Sequence, residues 1–176
     1  MADELDLVIE KVSNPSLLDT FSRATKNYDS TDKLRANREE ILLTQTIQDA
    51  KKNRTKIYQL RDRKTNIVIG LVALSASRLD DKPALLIDYI FISNDYRAKY
   101  SGVKYAELLI VYAFKQGLKL QKEIGLTNLI LYPDGENKSL VSYYKNNYGF
   151  IEIRKKVLIQ NKQKNEKWLY LPLKDK

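Results

Sequence analysis

A chain of 176 residues with no cysteine and no histidine has few groups that can move a proton. Disulfides, thiolate metal sites, a cysteine nucleophile, histidine-ligated zinc and a histidine general base are all excluded. Carboxylates, tyrosines, lysines and water remain. Asp88 interrupts an otherwise apolar run, with Leu85, Leu86 and Ile87 before it and Ile90, Phe91 and Ile92 after it. If buried there, its carboxyl would have a raised pKa and could serve as a base; pointing outward, or paired with a lysine, it would not. Arg97 and Lys99 stand between a strand-like run and a helix-like run. A loop at that junction turns unpaired backbone N–H groups and the positive end of a helix dipole toward phosphate, and the two cations add charge. Asn137 and Tyr144 are seven residues apart, two turns along one face of a short helix.

The elements that must position these groups follow from periodicity. Residues 5–12 are β-branched and partly alternate, predicting a strand. Asn14-Pro15 opens a helix, with Asn14 as N-cap and Leu17, Leu18, Phe21 and Ala24 at helical spacing. Residues 29–32 break it and cap a second helix over residues 33–51, with Leu34, Ile41, Leu42, Thr46, Ile47 and Ala50 as its predicted inner side. Strands over 56–62 and 67–75 form a hairpin about the turn 63–66, and a loop at 80–83 leads to the strand 85–92. A long helix runs from Val103 to about Glu123, then a strand 127–132 and a short helix 137–147. Strands over 150–159 and 168–173 close the chain, with Trp168 as a sheet anchor. The order βααβββαβαββ is an α/β fold: a mixed, mostly antiparallel central sheet with helices on its faces, in one domain over 1–176. Gly70, inside a strand, suggests a bulge or a close backbone approach and is assigned no chemistry.

The stretch 85–150 resembles the acetyl-CoA-binding half of the GNAT superfamily of N-acetyltransferases. Ile92-Ser93-Asn94-Asp95-Tyr96-Arg97 is similar to that family's exit from the fourth strand into the pyrophosphate loop. Asn137-x-x-Leu140-x-x-Tyr143-Tyr144 is similar to its Asn-x-x-Ala-x-x-Phe-Tyr helix, and Gly149-Phe150 to the Gly-Phe that opens its next strand. The resemblance implies that the backbone of Phe91 and Ile92 pairs with pantetheine amides. It implies that Arg97, Ala98, Lys99, Ser101, Gly102 and Val103 hold the pyrophosphate, and that Asn137 meets the pantetheine arm. It also implies that Tyr144 lies near the cofactor sulfur and protonates the leaving thiolate, while a carboxylate at the place of Asp88 deprotonates the amine, directly or through water. Two departures are visible. The loop keeps a single glycine, Gly102, shifted by two positions, and one extra residue separates Tyr144 from Phe150. The second leaves Tyr143 as the alternative acid.

The remaining features bear on partners. Net charge is +9, which attracts anions such as nucleic acid, acidic protein or a phosphorylated cofactor. Much of the excess lies in the tail, from Arg154 to Lys176. No apolar run reaches the length of a membrane span, the acidic start lacks an apolar segment, and cysteine is missing, so a cytoplasmic protein without membrane contact is expected. The reading is thus an acetyl-CoA-dependent N-acetyltransferase without a metal. Its acceptor is a primary amine on a small molecule, a protein or an aminoacyl-tRNA, and a homodimer is possible. The alternatives are a GNAT-fold binding protein with weak or no catalysis, and a basic nucleic-acid-binding protein.

Overall fold

The computed structural model describes residues 4–132, 138–153, 157–159, 162–164 and 168–174. The chain groups into two compact units, one of Met1–Leu74 with Tyr89–Tyr112, the other of Ser75–Asp88 with Ala113–Lys176.

In the first unit, β1 (Leu7–Lys11) pairs antiparallel with β2 (Lys56–Asp62), Leu7 opposite Asp62. β2 pairs with β3 (Val68–Leu79) from Lys56 opposite Leu74 to Leu60 opposite Gly70; the next pair is Arg61 with Val68, so Ile69 is an extra residue on β3. The connecting turn is built by Asp62, whose carboxylate accepts from the Thr65 hydroxyl at 2.6 Å and from the Thr65 N–H at 3.1 Å. β3 then pairs with β4 (Lys82–Ile92). Asn14 caps as predicted, accepting from the Ser16 N–H, but it opens a 3-10 turn, Pro15–Leu18, which passes into the short α1 (Asp19–Arg23). Asp32 caps α2 (Lys33–Lys51) by accepting from the Arg35 N–H at 3.1 Å.

The buried face of α2 matches the predicted one at Thr46, Ile47 and Ala50 and differs from it in the first half of the helix. Glu39, Leu43, Thr46, Ile47 and Ala50 are buried, while Leu34, Ile41 and Leu42 are exposed by half or more. The helix carries two apolar stripes, and periodicity cannot rank them. The stripe through Leu43, Ile47 and Ala50 meets Val12, Leu18, Tyr28, Ile57, Leu71, Ala73 and Phe91 to make this unit's core. It can bury Glu39 as well, because arginines neutralise that carboxylate.

In the second unit, β4 pairs in parallel with β5 (Asn128–Leu131), from Ala84 opposite Asn128 to Ile87 opposite Leu131. β5 pairs antiparallel with β9 (Leu169–Pro172), which also carries β6 (Ile151–Glu152). β7 (Val157–Ile159) and β8 (Lys162–Lys164) form a ribbon joined to β3 at Leu79. The predicted single strand over 150–159 is therefore β6 and β7, paired with different strands. The remaining helices are the four-residue α3 (Ala98–Ser101), α4 (Tyr105–Ile124) and α5 (Lys138–Tyr148). α4 starts two residues later than predicted, because α3 and its left-handed cap Gly102 occupy the chain before it. Gly117 lets α4 lie on Leu173: a Cβ there would stand 3.1 Å from a Leu173 methyl. The result is a mixed α/β fold on a mostly antiparallel sheet flanked by helices, and no described helix is long and apolar enough to cross a membrane.

Candidate acyl-CoA site

Among the described residues the ladder between β4 and β5 stops at Ile87, and β4 runs on for five residues, 88–92. On its other side the end of β4 is held against β3. The Ser93 N–H donates to the Ile69 carbonyl at 2.8 Å. Gly70 permits the approach, since a Cβ there would lie 2.5 Å from the Phe91 oxygen and 2.7 Å from Ile92 Cδ1. The glycine that sequence reading left without a role is thus the floor under Phe91 and Ile92. Phe91 is buried, with Phe21, Tyr28 and Tyr89 around its ring.

Beyond Ser93 a 3-10 turn, Asn94–Tyr96, delivers Arg97. Its Nε donates to the Ile92 carbonyl at 3.0 Å, its Nη1 to Glu39 Oε1 at 3.0 Å, and its Nη2 to Glu39 Oε2. The guanidinium also lies over the Phe91 ring, 5.7 Å from its centroid. Its side chain is only 13% exposed and that of Glu39 11%. Sequence reading put this guanidinium toward phosphate; the structure has it engaged by a carboxylate. Asp29, which looked like a helix breaker, is buried beside it. Backbone and hydroxyl donation from Thr31, opposed by burial, holds its carboxyl well below the usual range. Lys99 lies 3.7 Å from Asp29 with its side chain 48% exposed, so it is the more available cation of the pair.

Ala98 and Ser101 lie in α3. The Ser101 hydroxyl faces the Tyr96 and Arg97 carbonyls at 3.2 Å and accepts from the Val103 N–H at 3.3 Å. Gly102 has φ +71°, and a Cβ there would meet nothing within 4 Å. It therefore serves as the left-handed cap of α3, and close approach to a neighbour plays no part. This accounts for the shifted glycine: the loop is closed by a helix cap.

In the second unit, Tyr144 is buried on α5, its ring among those of Tyr143, Tyr148 and Phe150 at 5.6, 6.4 and 5.8 Å. Burial, with a smaller contribution from Tyr148, pushes its hydroxyl up to about 12, so it is protonated at neutral pH. Tyr143 is half-buried and its hydroxyl lies 3.2 Å from that of Tyr148. Gly149, at φ +74°, ends α5 by donating its N–H to the Lys145 carbonyl, which turns Phe150 inward. Asp88 is exposed, so the burial that would make it a stronger base is absent. Asn137 lies outside the described residues.

No family model and no curated protein matches this chain. Solved structures do. AtaTR bound with acetyl-CoA aligns at a TM-score of 0.68 and 18% identity, covering 96% of this chain and 94% of that one. AtaT complexed with acetyl-methionyl-tRNAfMet aligns at 0.66 and 16% identity, covering 95% of each. An AtaT mutant toxin bound to the C-terminus of the antitoxin AtaR also aligns at 0.66 and 16% identity, covering 96% of this chain and 92% of that one. The chain has the GNAT fold.

Within the GNAT fold, Phe91, Ile92 and Arg97 come together by direct contact, with Lys99 reaching Arg97 through Asp29. Ser101, Gly102 and Val103 form one short cap. Sequence reading missed Asp29, Arg35 and Glu39. The only signal for them was a glutamate on an apolar helix four residues after an arginine, and those two do pair, at 3.1 Å.

Proposed function

We propose that this chain is an acetyl-CoA-dependent N-acetyltransferase, acting as one domain over 1–176, and that its acceptor is the amine of an aminoacyl-tRNA. The observation that carries the cofactor is the end of β4, which outruns its ladder with β5 and is held from the β3 side. A strand edge of that kind has backbone N–H and C=O groups to offer the amides of a pantetheine arm. The likeness to AtaTR bound with acetyl-CoA supports the same reading. The acceptor is supported by the +9 charge and by the likeness to AtaT complexed with acetyl-methionyl-tRNAfMet.

Acetyl-CoA, when bound, supplies a thioester whose acyl carbon takes the amine: a C–N bond forms, the C–S bond breaks, and the sulfur leaves with the electron pair. The backbone of Phe91 and Ile92 positions the arm. Lys99 and the open N–H groups of the first turn of α4 would meet the phosphates. Asp88, exposed at the end of the ladder, takes the amine's proton through water. Tyr144 gives its proton to the leaving sulfur.

The test is calorimetry with acetyl-CoA followed by transfer of labelled acetyl to charged tRNA. We expect binding, a raised melting temperature and label on the aminoacyl amine. No heat and no shift at saturating acetyl-CoA would sink the cofactor reading. Binding without transfer to any amine would leave a GNAT-fold binding protein, the reading favoured by the loop's lone glycine.

A further inference from the structure

The Glu39–Arg97 pair has a property that a loop cation for phosphate lacks: its charge and three of its N–H groups are already engaged within the fold. Of the five N–H groups of Arg97, Nε goes to the Ile92 carbonyl and one on each Nη goes to the two oxygens of Glu39. The fork-to-fork geometry is the strongest that arginine makes, and it sits where both side chains are nearly buried. Arg35 braces Glu39 from the preceding turn of α2, its Nε 3.1 Å from Oε1. A phosphate would find only the two remaining N–H groups, on a guanidinium whose charge is already met by a carboxylate and which is largely out of water. The same guanidinium holds the carbonyl of Ile92, in the strand end that Gly70 supports from the other side.

We infer that Glu39 is a positioning residue for the acyl-donor strand: through Arg97 it fixes the backbone at Ile92, and Arg97 is a strut and not a phosphate ligand. The inference deepens the acetyl-CoA reading and rests on it for the ligand, while the hold on the strand is a property of the free protein. It also explains why α2 buries a glutamate among Leu43, Ile47 and Ala50.

Acetyl-pantetheine, which keeps the thioester and amides but has no pyrophosphate, separates the two roles. We expect Glu39→Gln and Arg97→Lys to raise KM for acetyl-CoA and for acetyl-pantetheine by the same factor, about 10- to 100-fold for a lost charge-assisted bond. The double variant should be no worse than the worse single one. Glu39→Asp, which keeps the charge, should recover part of the loss, and it stands in if Glu39→Gln does not fold. Lys99→Gln should weaken acetyl-CoA alone, and less so at high salt. In the unliganded protein, amide exchange at Ser93 should speed up in Glu39→Gln by a similar factor. The inference is overturned if the Arg97 variant loses affinity for acetyl-CoA but not for acetyl-pantetheine, or if exchange at Ser93 is unchanged. If the parent protein takes neither acyl donor, the cofactor reading is what fails, and the exchange at Ser93 by itself decides the strut.

Discussion

At the scale of single residues, Tyr144 and Asp88 differ in how ready they are for their proposed roles. Tyr144 needs a proton to give, and burial with a hydroxyl pushed up to about 12 guarantees one at neutral pH. Tyr144→Phe should lower kcat by about 10²–10⁴-fold, the usual range for a lost general acid, with acetyl-CoA affinity nearly intact. Steady-state kinetics beside calorimetry read both. If Tyr143→Phe is the inactive one instead, the extra residue before Phe150 has moved the acid by one position. Asp88 has exposure but no burial to strengthen it as a base. Asp88→Asn should cost less than Tyr144→Phe and be partly rescued at high pH, where more of the amine is free. A loss as large as that of Tyr144→Phe would make Asp88 the principal base.

At the scale of elements, the buried stripe of α2 and the two glycines around the strand end make contrasting demands. Leu43 is fully buried and Ile41 is 67% exposed, although they are two residues apart. Leu43→Ala should lose about 2–5 kcal/mol of stability, whereas Ile41→Ala stays within about 0.5 kcal/mol. Urea unfolding of the two variants checks which stripe faces the core; equal losses contradict the buried face described. Gly70→Ala must push the Phe91 carbonyl or the Ile92 side chain away, so it should weaken acetyl-CoA binding as well as stability. Gly102→Ala meets no neighbour, only a positive φ, and should cost about 1–2 kcal/mol through that strain. A Gly102→Asn variant should be milder, because asparagine tolerates that conformation.

At the scale of the whole molecule, the titrating groups set a stability window with two edges. Asp29, held low by the Thr31 donors, Glu10, held low by hydrogen bonds from Arg61 and Gln59, and Asp62, held low by Thr65, all lie below their unfolded values. Their contribution is present above about pH 4 and is lost as pH falls through the folded values. Tyr28 and Tyr144 are raised to about 12, chiefly by burial, so the folded state binds more protons than the unfolded one at alkaline pH. Their contribution is complete below about pH 10 and disappears as pH rises toward 12. With no histidine in the chain, the melting temperature should be flat from about pH 5 to 9. A thermal scan across pH that shows a step near 6 or 7 would contradict this. The +9 charge adds a salt dependence: log KM for a tRNA acceptor should rise with log salt concentration, while KM for a small uncharged amine should not.

What the chain determined by itself was local. Asn14 and Asp32 cap where their side chains reach the backbone two and three residues on, and the 56–75 hairpin follows from alternation and turn residues. The order of elements, and the residues at the end of β4, already pointed to the GNAT fold. Tertiary structure decided what depends on distant partners. α2 has two apolar stripes, and only packing against β2, β3 and β4 chose the one that includes Glu39. Arg97 reads as a phosphate cation when only its neighbours in sequence are known. Its partner is 58 residues away, and a guanidinium goes to whichever carboxylate the fold brings within reach in a place shielded from water. Gly70 is the same case. A strand glycine announces a close approach, but which backbone approaches it, here the Phe91 carbonyl, is settled only when β3 and β4 pair.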